Sequence, residues 1–209
     1  IRREMRQYEG SRFSNKEVER SQTRLRKLGY FEDVSVETVP VPGTTDQVEL
    51  NYQVDEKSTG SMMLGMGYSQ TGGMAFNTSL TQDNFMGSGK SVSGEFNNSK
   101  TETAYGLGYV DPYFTEDGVS LGVGGHYKKL DSSSAQSGYS YDLLSGNFDL
   151  GLPTSEYERL YVGFEPQHMT NATCGTSSTN SECDTFLTAE GASFSVFEFS
   201  SSWNRDSRN

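Results

Sequence analysis

The string NFMGSGKS, Asn84 to Ser91, has the residue types of a phosphate-binding loop: glycines that free backbone N–H groups, and a lysine beside a hydroxyl. A loop of that kind needs a glycine five residues ahead of its Gly-Lys pair and a helix after it. Asn84 occupies the glycine position, and Ser91–Asn97 alternates as a strand. No nucleotide is expected. The string instead predicts a hairpin turn, with glycines for positive φ and Asn84 for local capping. Cys174 and Cys183 have eight residues between them, which fits neither a CxxC redox pair nor a metal site. In an oxidising compartment this spacing predicts a loop disulfide. His126 and His168 stand on separate candidate strands with no second ligand set near them, so no metal is expected. Serines are abundant, but no G-x-S-x-G elbow occurs. Glu95, Asp149 and Glu165 fall on a face of small residues, where charged lumen lining accounts for them. No catalytic residue and no cofactor site emerges, and the chain is not expected to be an enzyme.

The elements that carry these residues must be built from an unusual composition. Only 33% of the 209 residues are hydrophobic, yet there are 23 Gly, 12 Tyr and 12 Phe, which suits aromatic-flanked strands better than a packed core. A net charge of −11 argues against a nucleic-acid partner. The charge is uneven: residues 1–57 carry 10 basic and 11 acidic residues, and residues 58–209 carry 7 and 17. Glycine is skewed likewise, with 3 before residue 58 and 20 after. Two units are therefore expected, 1–57 and 58–209. No run approaches the ~20 apolar residues of a membrane helix, a test that is blind to β-barrels.

In the first unit, Ser14-Asn15-Lys16-Glu17 has the form of a capping box. Val18, Ser21, Leu25 and Leu28 recur on one helical face, and Gly29 supplies a left-handed stop. Ile1, Met5 and Tyr8 have the spacing of an earlier helix's tail. Tyr30–Val39 and Gln47–Val54 follow as strands around Pro40-Val41-Pro42-Gly43. Such a module offers strand edges that can accept a further strand.

From Ser61 the period becomes 2. Met62, Leu64, Met66 and Tyr68 alternate with Met63, Gly65, Gly67 and Ser69. Similar alternation places Met74/Phe76/Leu80, Val92/Gly94/Phe96, Tyr105/Leu107/Tyr109 and Val119/Leu121/Val123 on one face. It continues through Leu144/Phe148/Leu150/Leu152 and Leu160/Val162/Phe164 to Phe197/Phe199/Trp203. About eight meandering antiparallel strands are expected. The opposite face is Gly, Ser, Asn, Thr and Glu, as a hydrated lumen demands. The connections Asn84–Gly89, Asp111–Gly118 and Pro153–Glu158 are short, whereas Lys129–Gly138 and about Thr170–Asp184 are long. The first and third connections are short as well, so the parity rests on two loops; it suits an outer-membrane barrel, although a soluble all-β domain shares much of the pattern.

The strings IRREMRQYEG and LRKLGYFEDVSVETVPVPGTTDQVELNYQVDE resemble the last polypeptide-transport-associated (POTRA) domain of the BamA family. GSMMLGMGYSQTGGMAFNTSLTQDNFMGSGKSVS is similar to the first strands of that family's barrel, as are DPYFTEDGVSLG and LPTSEYERLYVGF to its later turns. The resemblance implies an α+β POTRA module followed by the N-terminal portion of a sixteen-stranded transmembrane β-barrel, with the module in the periplasm. It implies that the chain is a piece of a longer one. It further implies a function without catalysis: insertion of outer-membrane proteins by strand templating at a lateral gate. The gate strand maps onto Ser61, Met62, Met63, Leu64, Gly65, Met66, Gly67, Tyr68 and Ser69. The acidic residue that contacts the partner lipoprotein BamD maps onto Glu9. The implied partners are BamD and other assembly lipoproteins, client outer-membrane proteins and outer-membrane lipid. TamA, the two-partner secretion transporters and a passive structural or adhesive barrel stand as alternatives at this level.

Overall fold

A computed structural model describes residues 1–70, 73–131, 139–155, 157–174 and 181–206. The chain divides into two units, Ile1–Thr59 and Gly60–Asn209.

The first unit has a 3-10 turn, Arg2–Glu4, then α1 (Asn15–Lys27) and a hairpin of β1 (Phe31–Pro40) and β2 (Val48–Glu56). Ile1, Met5 and Tyr8 do not lie on a helix tail, because Met5 is already extended at φ −69° and ψ 137°. The helix forms where its apolar spacing predicts it. Leu25 and Val34 are fully buried, which contributes about 1.5–3 kcal/mol for each large aliphatic side chain. Gly29, at φ +74°, turns the chain out of the helix.

The N-terminus of α1 is made differently from the capping box. Ser14 has the extended N-cap conformation but gives no side-chain cap, and the Glu17 carboxylate pairs with Arg20 at 3.2 Å. The half of the box expected of Glu17 passes to Gln7, whose Oε1 accepts from the Ser14 N–H at 3.0 Å. Gln7 is held for this task by its own Nε2, which donates to Ser11 Oγ at 2.8 Å. A longer-range tie completes the segment. The buried Ser21 hydroxyl donates to the Glu17 carbonyl at 2.7 Å and accepts from the Arg6 N–H at 2.8 Å. Buried Glu4 meets Arg24 at 2.8 Å. Ser21→Ala removes the acceptor of the Arg6 amide. We expect hydrogen exchange at Arg6 to speed up about tenfold, as the loss of a buried bond worth ~1–3 kcal/mol requires; unchanged protection would show that Ser21 is merely enclosed.

The second unit is one antiparallel sheet of eight strands in strict sequence order. They are β3 (Gly60–Ser69), β4 (Gly73–Gln82), β5 (Ser91–Asn98), β6 (Glu102–Asp111), β7 (Ser120–Leu130), β8 (Tyr139–Pro153), β9 (Glu158–Cys174) and β10 (Phe194–Arg205). Registers such as Met66↔Phe76, Phe96↔Tyr105, Tyr105↔Tyr127 and Phe164↔Phe199 place the alternating apolar residues on one face. Side-chain pairs across strands knit that face, with ring centroids 5.0 Å apart for Phe96–Tyr105 and 4.9 Å for Phe164–Phe199.

The long seventh connection departs from the expected loop. β9 runs on to Cys174, and a helix α2, Ser181–Glu190, precedes β10. Cys174 and Cys183 form a disulfide that ties this helix to the end of β9. The Ser/Thr/Gly-rich composition concealed the helix, because α2 has no strong apolar stripe. The greater part of the connection Lys129–Gly138, residues 175–180 and Glu156 lie outside the described residues.

Candidate strand-pairing edge

The second unit has almost no interior. Among the described residues of the sheet, the buried hydrophobic side chains are Ala104 and Ala172. The large apolar residues Met66, Leu107, Phe199 and their neighbours are exposed instead. A water-soluble sheet would bury that face against a second layer, because each such side chain left in water forfeits its ~1.5–3 kcal/mol of transfer free energy. The arrangement is stable where the surrounding medium is itself apolar.

The other face is polar and internally satisfied. His126 Nδ1 stands 3.1 Å from Glu95 Oε1, and Lys128 pairs with Glu102 at 2.9 Å. Asn147 donates to Asp149 at 2.8 Å, and Gln167 donates to Glu165 at 3.2 Å. His168 lies on the opposite face, across from Leu144, and meets Ser195 Oγ at 2.9 Å. Among the described residues no group of His, Cys, Asp and Glu is arranged to hold a metal ion. Glycines on this face make room for long neighbours. A Cβ on Gly106 would lie 2.6 Å from Glu95 Cγ, and one on Gly65 would overlap the Asn77 amide.

The turn around NFMGSGKS takes a different shape from a phosphate cradle. Asn84 and Met86 adopt left-handed φ values of 50° and 52°, and Gly87 and Gly89 follow at 73° and 74°. Asn84 Oδ1 accepts from the Gly89 N–H at 2.8 Å, so the side chain closes the turn on itself. The backbone donors are thereby spent internally. Lys90 points at Asp111, 3.1 Å away, and lies 5.7 Å from the centroid of the Tyr109 ring. The Tyr109 hydroxyl and the Asp111 carboxylate hold its ammonium above the ordinary lysine pKa. The Lys90–Asp111 tie escaped the sequence reading. Its only signal is the register Ser91↔Val110, which exists once β5 and β6 are paired.

The edge is the remaining feature with chemical potential. Among the described strands β3 pairs with β4 and is the first strand of the sheet, the place where a further strand would add its ladder. Ser61 through Ser69, including Met63, Gly65 and Gly67, all lie on this strand. Gly67 has open space around its Cα, whereas Gly65 is filled by Asn77 from β4. Glu9 sits elsewhere, in the first unit, exposed and 2.7 Å from Arg2. β10 forms the opposite end of the sheet, paired with β9.

An α+β module followed by a meander with an exposed apolar face and a polar face defines a POTRA-plus-barrel protein of the outer membrane. The chain belongs to the Omp85 superfamily: residues 84–209 match the Omp85 superfamily domain. Residues 1–57 match the POTRA family described as surface antigen variable number repeat. Over 173 residues, 81% of this chain, it is 37% identical to the outer membrane protein assembly factor BamA of Neisseria meningitidis serogroup B. It is 29% identical over 176 residues to BamA of Buchnera aphidicola. The crystal structure of BamA from Haemophilus ducreyi lacking POTRA domains 1–3 is similar over the whole of this chain, with a TM-score of 0.76 and 30% identity. The chain spans 22% and 27% of the lengths of these two curated relatives and 42% of that structure. The β-barrel portion belongs to the outer membrane and the POTRA module to the periplasm.

Proposed function

We propose that the chain forms the working part of an outer-membrane protein assembly factor, in which β3 templates the strands of client proteins. The observation that carries this reading is the position of β3 as the first strand of the sheet, beside an apolar face. In a hydrocarbon medium each unsatisfied backbone polar group costs several kcal/mol, so a free edge there is a strong acceptor for any extended segment. A client strand that adds to β3 satisfies its own N–H and C=O groups as it enters, and its apolar side chains meet lipid. No chemical energy source is required. Gly65 and Gly67 weaken β3 against β4 and let the edge distort during exchange.

The test uses single cysteines at positions 62–68 in the full-length protein, with a client carrying a cysteine in its C-terminal strand. Crosslinks on β3 should exceed those at Tyr105 and Leu107 in the paired interior by about tenfold, since edge pairing needs free donors and acceptors. Equal crosslinking along β10, at Phe197 and Phe199, would sink the templating reading and favour a passive barrel.

A lipoprotein contact at Glu9 is part of the same proposal. Glu9 is exposed and already engages a guanidinium, Arg2, so it is placed to exchange that partner for a cation on another protein. Glu9→Lys should abolish capture of the BamD-type lipoprotein while barrel folding is unaffected. Undiminished capture would remove Glu9 from the interface.

A further inference from the structure

The β4–β5 turn holds a strained apolar tip that strand templating does not use. Among the described residues, Met86 is the one non-glycine outside the asparagines with a left-handed φ, at 52°. A side chain there is strained relative to extended or helical backbone. The strain is maintained by a dense set of bonds. Phe85 N–H donates to the Lys90 carbonyl at 2.7 Å, Gly87 N–H to the Asn84 carbonyl at 2.9 Å, and Gly89 N–H to Asn84 Oδ1. Asp83 accepts from Ser91 Oγ at 2.7 Å, and Lys90 clamps the turn to Asp111 on β6. The outcome is a rigid knuckle whose apex is a methionine 89% exposed, with Phe85 exposed beside it. Glycine or asparagine would relieve the strain, and a polar residue would suit water better.

We infer that Phe85–Met86 is a lipid-contacting foot, seated at the boundary between headgroups and acyl chains at the end of the sheet where β3 begins. Continuity selects the occupant. Met62 and Leu80, exposed members of the apolar face, lie opposite one another near this end of β3 and β4. The two other turns at the same end also show large exposed side chains, Phe114 between β6 and β7 and Tyr157 between β8 and β9. The β5–β6 connection at the other end is Ser99-Lys100-Thr101, which is polar. The apolar face thus extends past the strand ends where β3 begins, in the residue types that favour the interfacial layer, as exposed Phe186 and Tyr139 do at the other end. A rigid foot fixes how deeply this end of the sheet sits, and flexible turn residues would not. The inference rests on the assignment of the apolar face to lipid.

The experiment separates the two claims. In the full-length protein, reconstituted in phosphatidylethanolamine–phosphatidylglycerol vesicles, Met86→Cys and Leu107→Cys are each labelled with an NBD fluorophore. Quenching by headgroup-level nitroxide lipid, acyl-chain nitroxide lipid and aqueous iodide is then compared. A label at 86 should be quenched by the headgroup-level nitroxide about threefold more strongly than by iodide, and a label at 107 by the acyl-chain nitroxide. Free access of iodide to 86 makes the turn an ordinary exposed loop and overturns the foot. Protection of 86 from every quencher makes its cover a protein, which overturns it equally. Iodide access at both 86 and 107 would instead remove the lipid-face assignment beneath it.

Discussion

Arginine in place of Leu107 is expected to block stable insertion of the barrel portion. Leu107 lies in the middle of β6, 75% exposed on the apolar face, opposite Gly94 and Gly125. A cation at such depth on a lipid-facing strand costs about 2–4 kcal/mol, enough to shift a folding equilibrium by ~30- to 1,000-fold. Arginine at Asn97, which is paired with Asn77 and Ala104 on the polar face, carries no such penalty. Folding yield into lipid vesicles, read by the mobility of the unheated protein on a gel, measures the contrast. Equal tolerance at the two positions would mean that the exposed apolar face is covered by protein.

The second large effect concerns close packing between strands. Gly124→Ala should lower stability by about 1–3 kcal/mol, the cost of overpacking, because its Cβ would lie 2.9 Å from the Leu107 carbonyl oxygen and overlap the Asn147 amide. Backbone in a paired strand cannot yield, so trimming Asn147 to alanine leaves the clash in place. Gly65→Ala differs. Its obstruction is the Asn77 side chain alone, and Asn77→Ala should restore stability. Gly67 has nothing within 4 Å, and alanine there should firm β3 by ~0.4–1 kcal/mol while slowing client uptake. Thermal loss of the folded gel band gives the order of these variants. Rescue of Gly124→Ala by Asn147→Ala would show that the Leu107 carbonyl shifts after all.

Much of this fold is legible in the residues because two periods are unambiguous. The helix carried by Val18, Ser21, Leu25 and Leu28 occupies Asn15–Lys27. The alternating sets from Met62 to Trp203 lie on strands, except that Val119 stands just ahead of β7, because period-2 patterning survives wherever a sheet has one apolar and one polar face. The same alternation unmasked NFMGSGKS as a turn. Other features required distance. At the N-terminus of α1 the Ser14 N–H is taken by Gln7 rather than Glu17, since the segment Arg6–Gln7 is drawn onto Ser21, 15 residues away from Arg6. Local motif spacing cannot register such a tie. The helix Ser181–Glu190 was hidden because it packs little apolar surface and is held by a covalent bond to Cys174.

The candidate edge divides along the same line. Sequence alone determined the class of strand, its alternation and its glycines, because these follow from residue type and from a period fixed by backbone geometry. Pairing decided the rest: that β3 ends the sheet, that Asn77 fills the space at Gly65, that Lys90 reaches Asp111, and that Met86 is forced into left-handed backbone. Each of these depends on which atoms meet across strands, and a linear order of residues does not contain that register until the sheet closes it.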